Sequence, residues 1–285
     1  MSSAVAFALL SLFCAGLTDV VFKRFARLEL PRGAYVLGMG LTWSLIQGTI
    51  LLLSGTAFRL DTLAVVFGIA AGTLVAVSNT LLIEGLRHVD VGIGSTIYRL
   101  NTIAVVAMAA LLLDEALTPL KLAGIGLGVV AVALLIDRNR PRVALAGAAH
   151  FFMLLVLASF LRACFGILSK VAVLNQVHLG AMLFVNAQVW ILVGAIYGYV
   201  RPGPVLATGQ TLRYAALSGA LICGVANFLM LAVERGQASV VVPIANMSFV
   251  VALLLSAGLG MERLTGRKLL AVTLAIVAII ALAAT

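Results

Sequence analysis

The feature that most narrows what this chain can become is a succession of apolar segments, each about 20 residues long, running from one end to the other. A hydrocarbon core about 30 Å thick is crossed by roughly 20 apolar residues of α-helix. That ruler predicts spans at 4–22, 33–54, 63–85, 91–113, 119–136, 148–172, 179–199, 212–233, 238–259 and 267–284. Short polar connections separate them, among them Pro31-Arg32-Gly33, Asp61, Asp114-Glu115, Asp137 to Pro141 and Pro202-Gly203-Pro204. Thr118-Pro119 reads as a helix N-cap followed by proline at the first helical position, where the missing N–H has no partner to lose. With 63% hydrophobic and 10% charged residues, no room is left for a separate water-soluble domain. A membrane barrel would need alternating ten-residue strands, which are absent. The expected fold is all-α, an integral, multi-pass membrane protein of ten transmembrane helices with lipid around it. The first span lacks a basic leader and a small-residue cleavage site, so it is expected to remain as a helix. The net charge of +9 sits mostly in the connections. Retention of basic loops in the cytoplasm accounts for it, and no nucleic-acid partner is needed. Cys14, Cys164 and Cys223 all lie inside apolar runs, which points to neither a disulfide nor a metal site.

Sliding the chain against itself by 147 residues brings unlike segments into register. Lys23 meets Lys170, Gly33 meets Gly180, Gly72 meets Gly219, and the two tryptophans, Trp43 and Trp190, meet each other. Glu115-Ala-Leu-Thr118-Pro-Leu-Lys121 meets Glu262-Arg-Leu-Thr265-Gly-Arg-Lys268. Matched Gly or Leu is cheap in such a composition; matched Trp, Lys and Glu is not. The chain therefore divides into repeats of 1–147 and 148–285. Five helices per repeat is an odd number, so the second must enter the membrane from the opposite side. The charges agree: connection 1–2 carries Lys23, Arg24, Arg27 and Arg32 against Lys170 alone in 6–7, whereas 9–10 carries Arg263, Arg267 and Lys268 against Lys121 alone in 4–5. Two inverted five-helix halves are a carrier architecture, with the site near the midplane between them. Of the 19 Lys and Arg, 13 lie on connections 1–2, 3–4, 5–6, 7–8 and 9–10, which alone would place both termini outside the cytoplasm.

The duplicated unit and the junctions Leu113-Asp-Glu-Ala-Leu-Thr118 and Gly260-Met-Glu-Arg-Leu-Thr265 resemble the ten-helix EamA-type members of the drug/metabolite transporter superfamily. Gly124, Gly126 and Gly128 are similar to the family's glycine-rich fifth helix, and Pro243-Ile244 to its proline early in the ninth; Thr96-Ile97 holds the matching place without the proline. The resemblance covers the whole chain. It implies secondary transport, often export, of amino acids, other metabolites or drugs through a cavity lined mainly by helices 1, 3, 4, 6, 8 and 9. It also implies cytoplasmic termini, against the charge count.

Ionisable groups at membrane depth are costly and normally face a bundle interior or a wet cavity. Asp19, Arg99 and Arg162 lie well within their spans, and Ser95, Tyr98, Arg99 and Thr102 form a polar stripe on span four. Arg99 matches Asn246 under the offset, and Arg162 stands one turn before Gly166, the counterpart of Asp19. One reading makes Asp19 a structural bridge to Arg162 or Arg99. It leaves one arginine over, ready for a substrate carboxylate or phosphate. Asp19 would then meet an ammonium group or carry a proton. Pro243 marks a break in span nine, either at the site or as a packing kink, and Gly92 and Gly94 stand at corresponding places in span four. Asn227 shares a face of span eight with Glu234, and Thr80 shares one of span three with Glu84 and Arg87; the two glutamates are read as rims or gates. Glu115 and Glu262 are expected to favour the N-terminus of the helix that follows each. Trp43 and Trp190 are expected as packing or interfacial anchors, and Gly124 and Gly128 as close packing or a dimer seam.

The candidate substrate-binding set is Asp19, Tyr98, Arg99, Arg162, Asn227 and Asn246, with Asp19 the candidate for proton coupling. No catalytic constellation, metal site or cofactor is expected: His88, His150 and His178 stand singly near span ends. A channel would show a ring or filter made by oligomeric symmetry. The expected function is secondary active transport of small polar metabolites, amino acids or related compounds, as an exporter in a bacterial inner membrane. A multidrug or organic-anion exporter and a lipid-carrier flippase are the alternatives on the same scaffold, and a monomer or weak dimer is the expected state.

Overall fold

The computed structural model describes residues 2–26, 28, 30–54, 60–85, 97–135, 145–200, 208–261 and 264–285, less the side chains of Lys23, Ala26, Ile83, Glu84 and residues 145–149. Helices occupy every expected span: α1 (Ser3–Ala26), α2 (Arg32–Leu53), α3 (Thr62–Gly85), α4 (Asn101–Leu112), α5 (Pro119–Ala133), α6 (Leu145–Leu174), α7 (Leu179–Val200), α8 (Gly209–Arg235), α9 (Ala238–Asn246), α10 (Phe249–Gly258) and α11 (Gly266–Ala283). The described residues contain no strand. Span nine is α9 and α10 end to end, and a turn of helix at 97–99 precedes α4 in span four. Gly92, Gly94, Ser95, Thr96, Arg87, His88, Glu262 and Arg263, and the Glu84 side chain, lie outside the described residues.

Local chemistry sets the helix ends. The Thr118 side chain accepts the Lys121 N–H with Pro119 in the first turn, as expected, and Thr265 does the same for Lys268 N–H. Leu45, Leu52 and Leu111 turn outward and are more than 70% exposed, which only an apolar solvent tolerates in such numbers. Trp43 is buried in the core, so it packs rather than anchoring at an interface. Gly124 faces Leu282 of α11 and Gly128 faces Met247, so that stripe packs within the chain.

Helices pack as α2 on α7, α5 on α11, α1 on α8, α3 on α6, α2 on α8, α3 on α7, α1 on α9 and α10, and α4 on α6 and α9. The 147-residue shift carries each of these contacts into itself or into another of them. It holds for single atoms too. A Cβ on Gly72 would lie 2.8 Å from Val189 Cβ and 3.2 Å from Asn186 Cα; on Gly219 it would lie 2.7 Å from Thr42 Cβ and 2.6 Å from the Met39 carbonyl oxygen. Val189 and Asn186 are Thr42 and Met39 plus 147. At Gly219 the obstruction is backbone, which cannot swing aside. Gly219→Ala is therefore expected to destabilise by about 1–3 kcal/mol, the usual cost of overpacking. Gly126→Ala, with nothing within 4 Å, should lose nothing. Thermal unfolding of the purified protein measures both; equal melting temperatures would refute the close-approach argument.

Candidate functional site

Spans four and nine are both interrupted, at equivalent residues. In span nine Met247 N–H donates to Ile244 O at 3.0 Å and Val250 N–H to Met247 O at 3.1 Å, three-residue bonds in place of the helical four. In span four Leu100 N–H donates to Ile97 O at 3.1 Å and Ile103 N–H to Leu100 O at 3.0 Å, the same two bonds 147 residues earlier. Pro243, expected to mark the break, lies inside α9, and the helix runs on to Asn246. Proline removes one N–H but keeps a helical φ; the ladder fails a turn later, where Val250 turns to Met247 O and frees Asn246 O. In a membrane such a carbonyl needs another donor.

Arg99 supplies it. Its Nη1 donates to Asn246 O at 2.7 Å and to Ser248 Oγ at 3.3 Å, and its Nη2 meets Asp19 Oδ2 at 3.2 Å. Ser248 Oγ donates to the same Asp19 oxygen at 3.2 Å, and the guanidinium stands 5.4 Å from the centre of the Phe249 ring. Asn246 reaches the other way, its Nδ2 donating to Asn101 Oδ1 at 2.6 Å and to Thr102 Oγ1 at 3.3 Å. Arg99 and Asn246, matched by the offset, thus each reach across to the residues just past the other's break. A cavity of about 10 Å³ lined by Arg99, Thr102, Gly128, Asn246 and Met247 adjoins them, enough for about one water. Asp19 is 38% exposed and Arg99 19%. The pair is therefore more open on its carboxylate side.

Arg162 is placed by its neighbours on α6. Ser78 Oγ donates to Ala158 O at 2.7 Å and to Tyr98 OH at 3.3 Å, which sets Ala158 level with Tyr98. A Cβ on Gly166 would lie 3.5 Å from both Val105 and Val242, which sets Gly166 level with those residues. Arg162 lies between Ala158 and Gly166 on α6. Its guanidinium lies 5.3 Å from the Phe165 ring centre, and no described carboxylate comes within ion-pair distance. It is half-buried.

Of the other candidates, Tyr98 lies within the turn at the span-four break with its side chain toward α3, and the rest lie apart from the breaks. Tyr98 OH donates to Asn79 Oδ1 at 3.5 Å on α3. Asn227 is tied to α2, its Nδ2 donating to Gln47 Oε1 at 2.7 Å, with Cys223 beside them. Glu234 pairs with Arg235 at 3.3 Å on the exposed end of α8. Glu115 does not serve the helix that follows it. Its oxygens accept the Ala238 and Ser239 N–H groups at 2.8 and 2.9 Å, capping α9, because Asp114 at φ +52° turns the chain inward. Ser248, Asn101 and Ser78 were not singled out from sequence. Small polar residues are ordinary in a helix, and only the spacing of Asn246 with Ser248 and of Asn101 with Thr102 hints at a helix end. No group of three or more His, Cys, Asp or Glu comes together among the described residues.

Two charged side chains from one half of the sequence and a freed backbone carbonyl from the other thus meet where two membrane helices break. Residues 2–137 match the EamA-like transporter family. Over that first half the chain is an EamA-like transporter unit, and the protein is a membrane transporter. A solved crystal structure superposes with a TM-score of 0.84 over 98% of this chain and 96% of that one, at 15% identity, a likeness of fold. No curated protein matches the sequence. This transporter, with 15 arginines to 4 lysines, keeps Arg99 at its broken helices.

Proposed function

We propose that this chain is a secondary carrier that exports small zwitterionic metabolites, amino acids or their relatives, by alternating access between inverted halves 1–147 and 148–285. The observation that carries the reading is the uneven pairing of charge at the breaks. Asp19 is shared with Arg99 through one oxygen, while Arg162 has no ion-pair carboxylate among the described residues. A substrate carboxylate would sit bidentate on Arg162. Its ammonium group would meet the free Oδ1 of Asp19, and the Asn101–Asn246 amide pair would stand between the two. Uptake of a proton by Asp19 would release both Arg99 and the substrate ammonium, which couples solute to proton. The bacterial inner membrane and a monomer or weak dimer fit this reading.

The test is counterflow into proteoliposomes with a labelled amino-acid mixture. Accumulation that Arg162→Ala abolishes supports the reading. No accumulation of amino acids overturns the zwitterion assignment, and uptake of organic anions or scrambling of a lipid-linked phosphate would then identify the substrate class. Asp19→Asn gives a further prediction. In the wild type, acid on the trans side speeds efflux, because a proton taken up there by Asp19 returns the empty carrier. In Asp19→Asn the efflux rate should be flat with trans pH; an unchanged pH dependence would remove Asp19 from the coupling.

A further inference from the structure

A second set of charged side chains lies away from the breaks, at the membrane face that carries both chain ends. All of it converges on one turn, Val233 to Ser239, which joins α8 to α9. Lys121 is 1% exposed, yet its Nζ donates to Ala116 O at 2.6 Å, Gln237 Oε1 at 2.7 Å and Ser239 Oγ at 3.1 Å. Glu115 is 9% exposed and takes the Ala238 and Ser239 N–H groups, and Ser239 Oγ donates to it as well. Lys170 Nζ closes the end of α8, donating to Val233 O at 2.8 Å and Gly236 O at 2.7 Å. A Cβ on Gly236 would lie 2.8 Å from Ala4 Cβ, so the start of α1 packs on the same turn.

Burying an ammonium and a carboxylate costs stability unless both are fully hydrogen-bonded. Here they are, and Ser239 Oγ bridges them. What they hold is α9, buried from Ala238 to Ala245, which spans nine residues or about 13 Å. Its far end delivers Asn246 O to Arg99. One rigid rod is thus gripped at the membrane face by Glu115 and Lys121 and at the break by Arg99. Residues before 147 hold residues after 147 at both grips, so any movement between the two parts of the chain must release one of them.

We infer that Glu115 and Lys121 are positioning residues for transport: with Ser239 they form the latch that closes the terminal face of the pathway, and α9 carries its state to the Asp19–Arg99 pair. The inference rests on the carrier reading above, and its test reads conformation rather than flux. Val242 serves as the reporter, because it is 5% exposed, faces Gly166, and lies between the latch and the break. In a chain with Cys14, Cys164 and Cys223 replaced, Val242→Cys is labelled with a membrane-impermeant maleimide added to one face at a time. Tags on the termini report orientation. Lys121→Met or Glu115→Gln should raise labelling from the terminal face about tenfold or more and leave the opposite face unchanged. Ser239→Ala, which removes only the bridging hydroxyl, should act in the same direction and is the variant to read if a charge change disturbs insertion. Unchanged labelling in correctly inserted variants overturns the latch. So does an equal rise from both faces, which marks general loosening. A carrier that moves no amino acid but shows the sided rise would keep the latch and lose only the substrate assignment.

Discussion

Arg162→Ala should abolish counterflow while the melting temperature of the purified protein stays within a degree or two of wild type. The two halves of that expectation have separate grounds. Among the described residues the guanidinium makes no ion pair and stands 5.3 Å from the Phe165 ring centre, so its removal orphans no described carboxylate. Substitutions that leave no partner unsatisfied usually stay within about 0.5 kcal/mol. Binding is another matter. Two charge-assisted hydrogen bonds to a carboxylate, each about 1.5–3 kcal/mol, disappear together. Since 1.4 kcal/mol is a factor of ten, the substrate Kd should rise by about a hundredfold or more. Arg162→Lys keeps the charge and loses the fork, and should recover binding in part. Isothermal titration in detergent and counterflow in vesicles measure the two. Wild-type affinity in Arg162→Ala would move the carboxylate site elsewhere.

The spans were legible because the bilayer imposes a length on every crossing helix, and the 147-residue register because Trp, Lys and Glu are rare enough here to align. Thr118-Pro119 was legible for a local reason, since a cap depends on its own next three residues. Arg99 and Asn246 could be matched, and their shared place at the breaks follows from the match. The breaks themselves were misplaced. Pro243 advertised one, but the ladder fails at Met247 and Leu100, neither of which is glycine or proline; the carbonyl freed beside Met247 is met by Arg99 from another span, a partner no local pattern announces. Glu115 shows the same limit. Its neighbours in sequence point to the helix it precedes, while its partners are more than 120 residues away. Asn227 carried no sign that Gln47 would take its amide. Periodicity fixes which side of a helix is polar; it does not say which polar group stands opposite.

Arg99→Ala should also end transport, but with a different signature, because this arginine holds structure together. Its loss frees Asn246 O at the break, leaves Ser248 with one partner fewer, and unpairs Asp19. An orphaned buried acceptor costs about 1–3 kcal/mol. The unpaired carboxylate adds less than a fully buried one would, since Asp19 is 38% exposed and keeps the Ser248 hydroxyl as a donor. Arg99→Ala should therefore lower the melting temperature clearly, where Arg162→Ala does not. A second substitution separates the two costs. If part of the loss is an uncompensated carboxylate, Asp19→Asn placed on Arg99→Ala restores that part, and the double variant is more stable than the two single changes added together. The freed Asn246 carbonyl keeps it below wild type. Strict additivity would mean that the Asp19–Arg99 contact contributes no coupling, and that Arg99 acts on the broken helix alone.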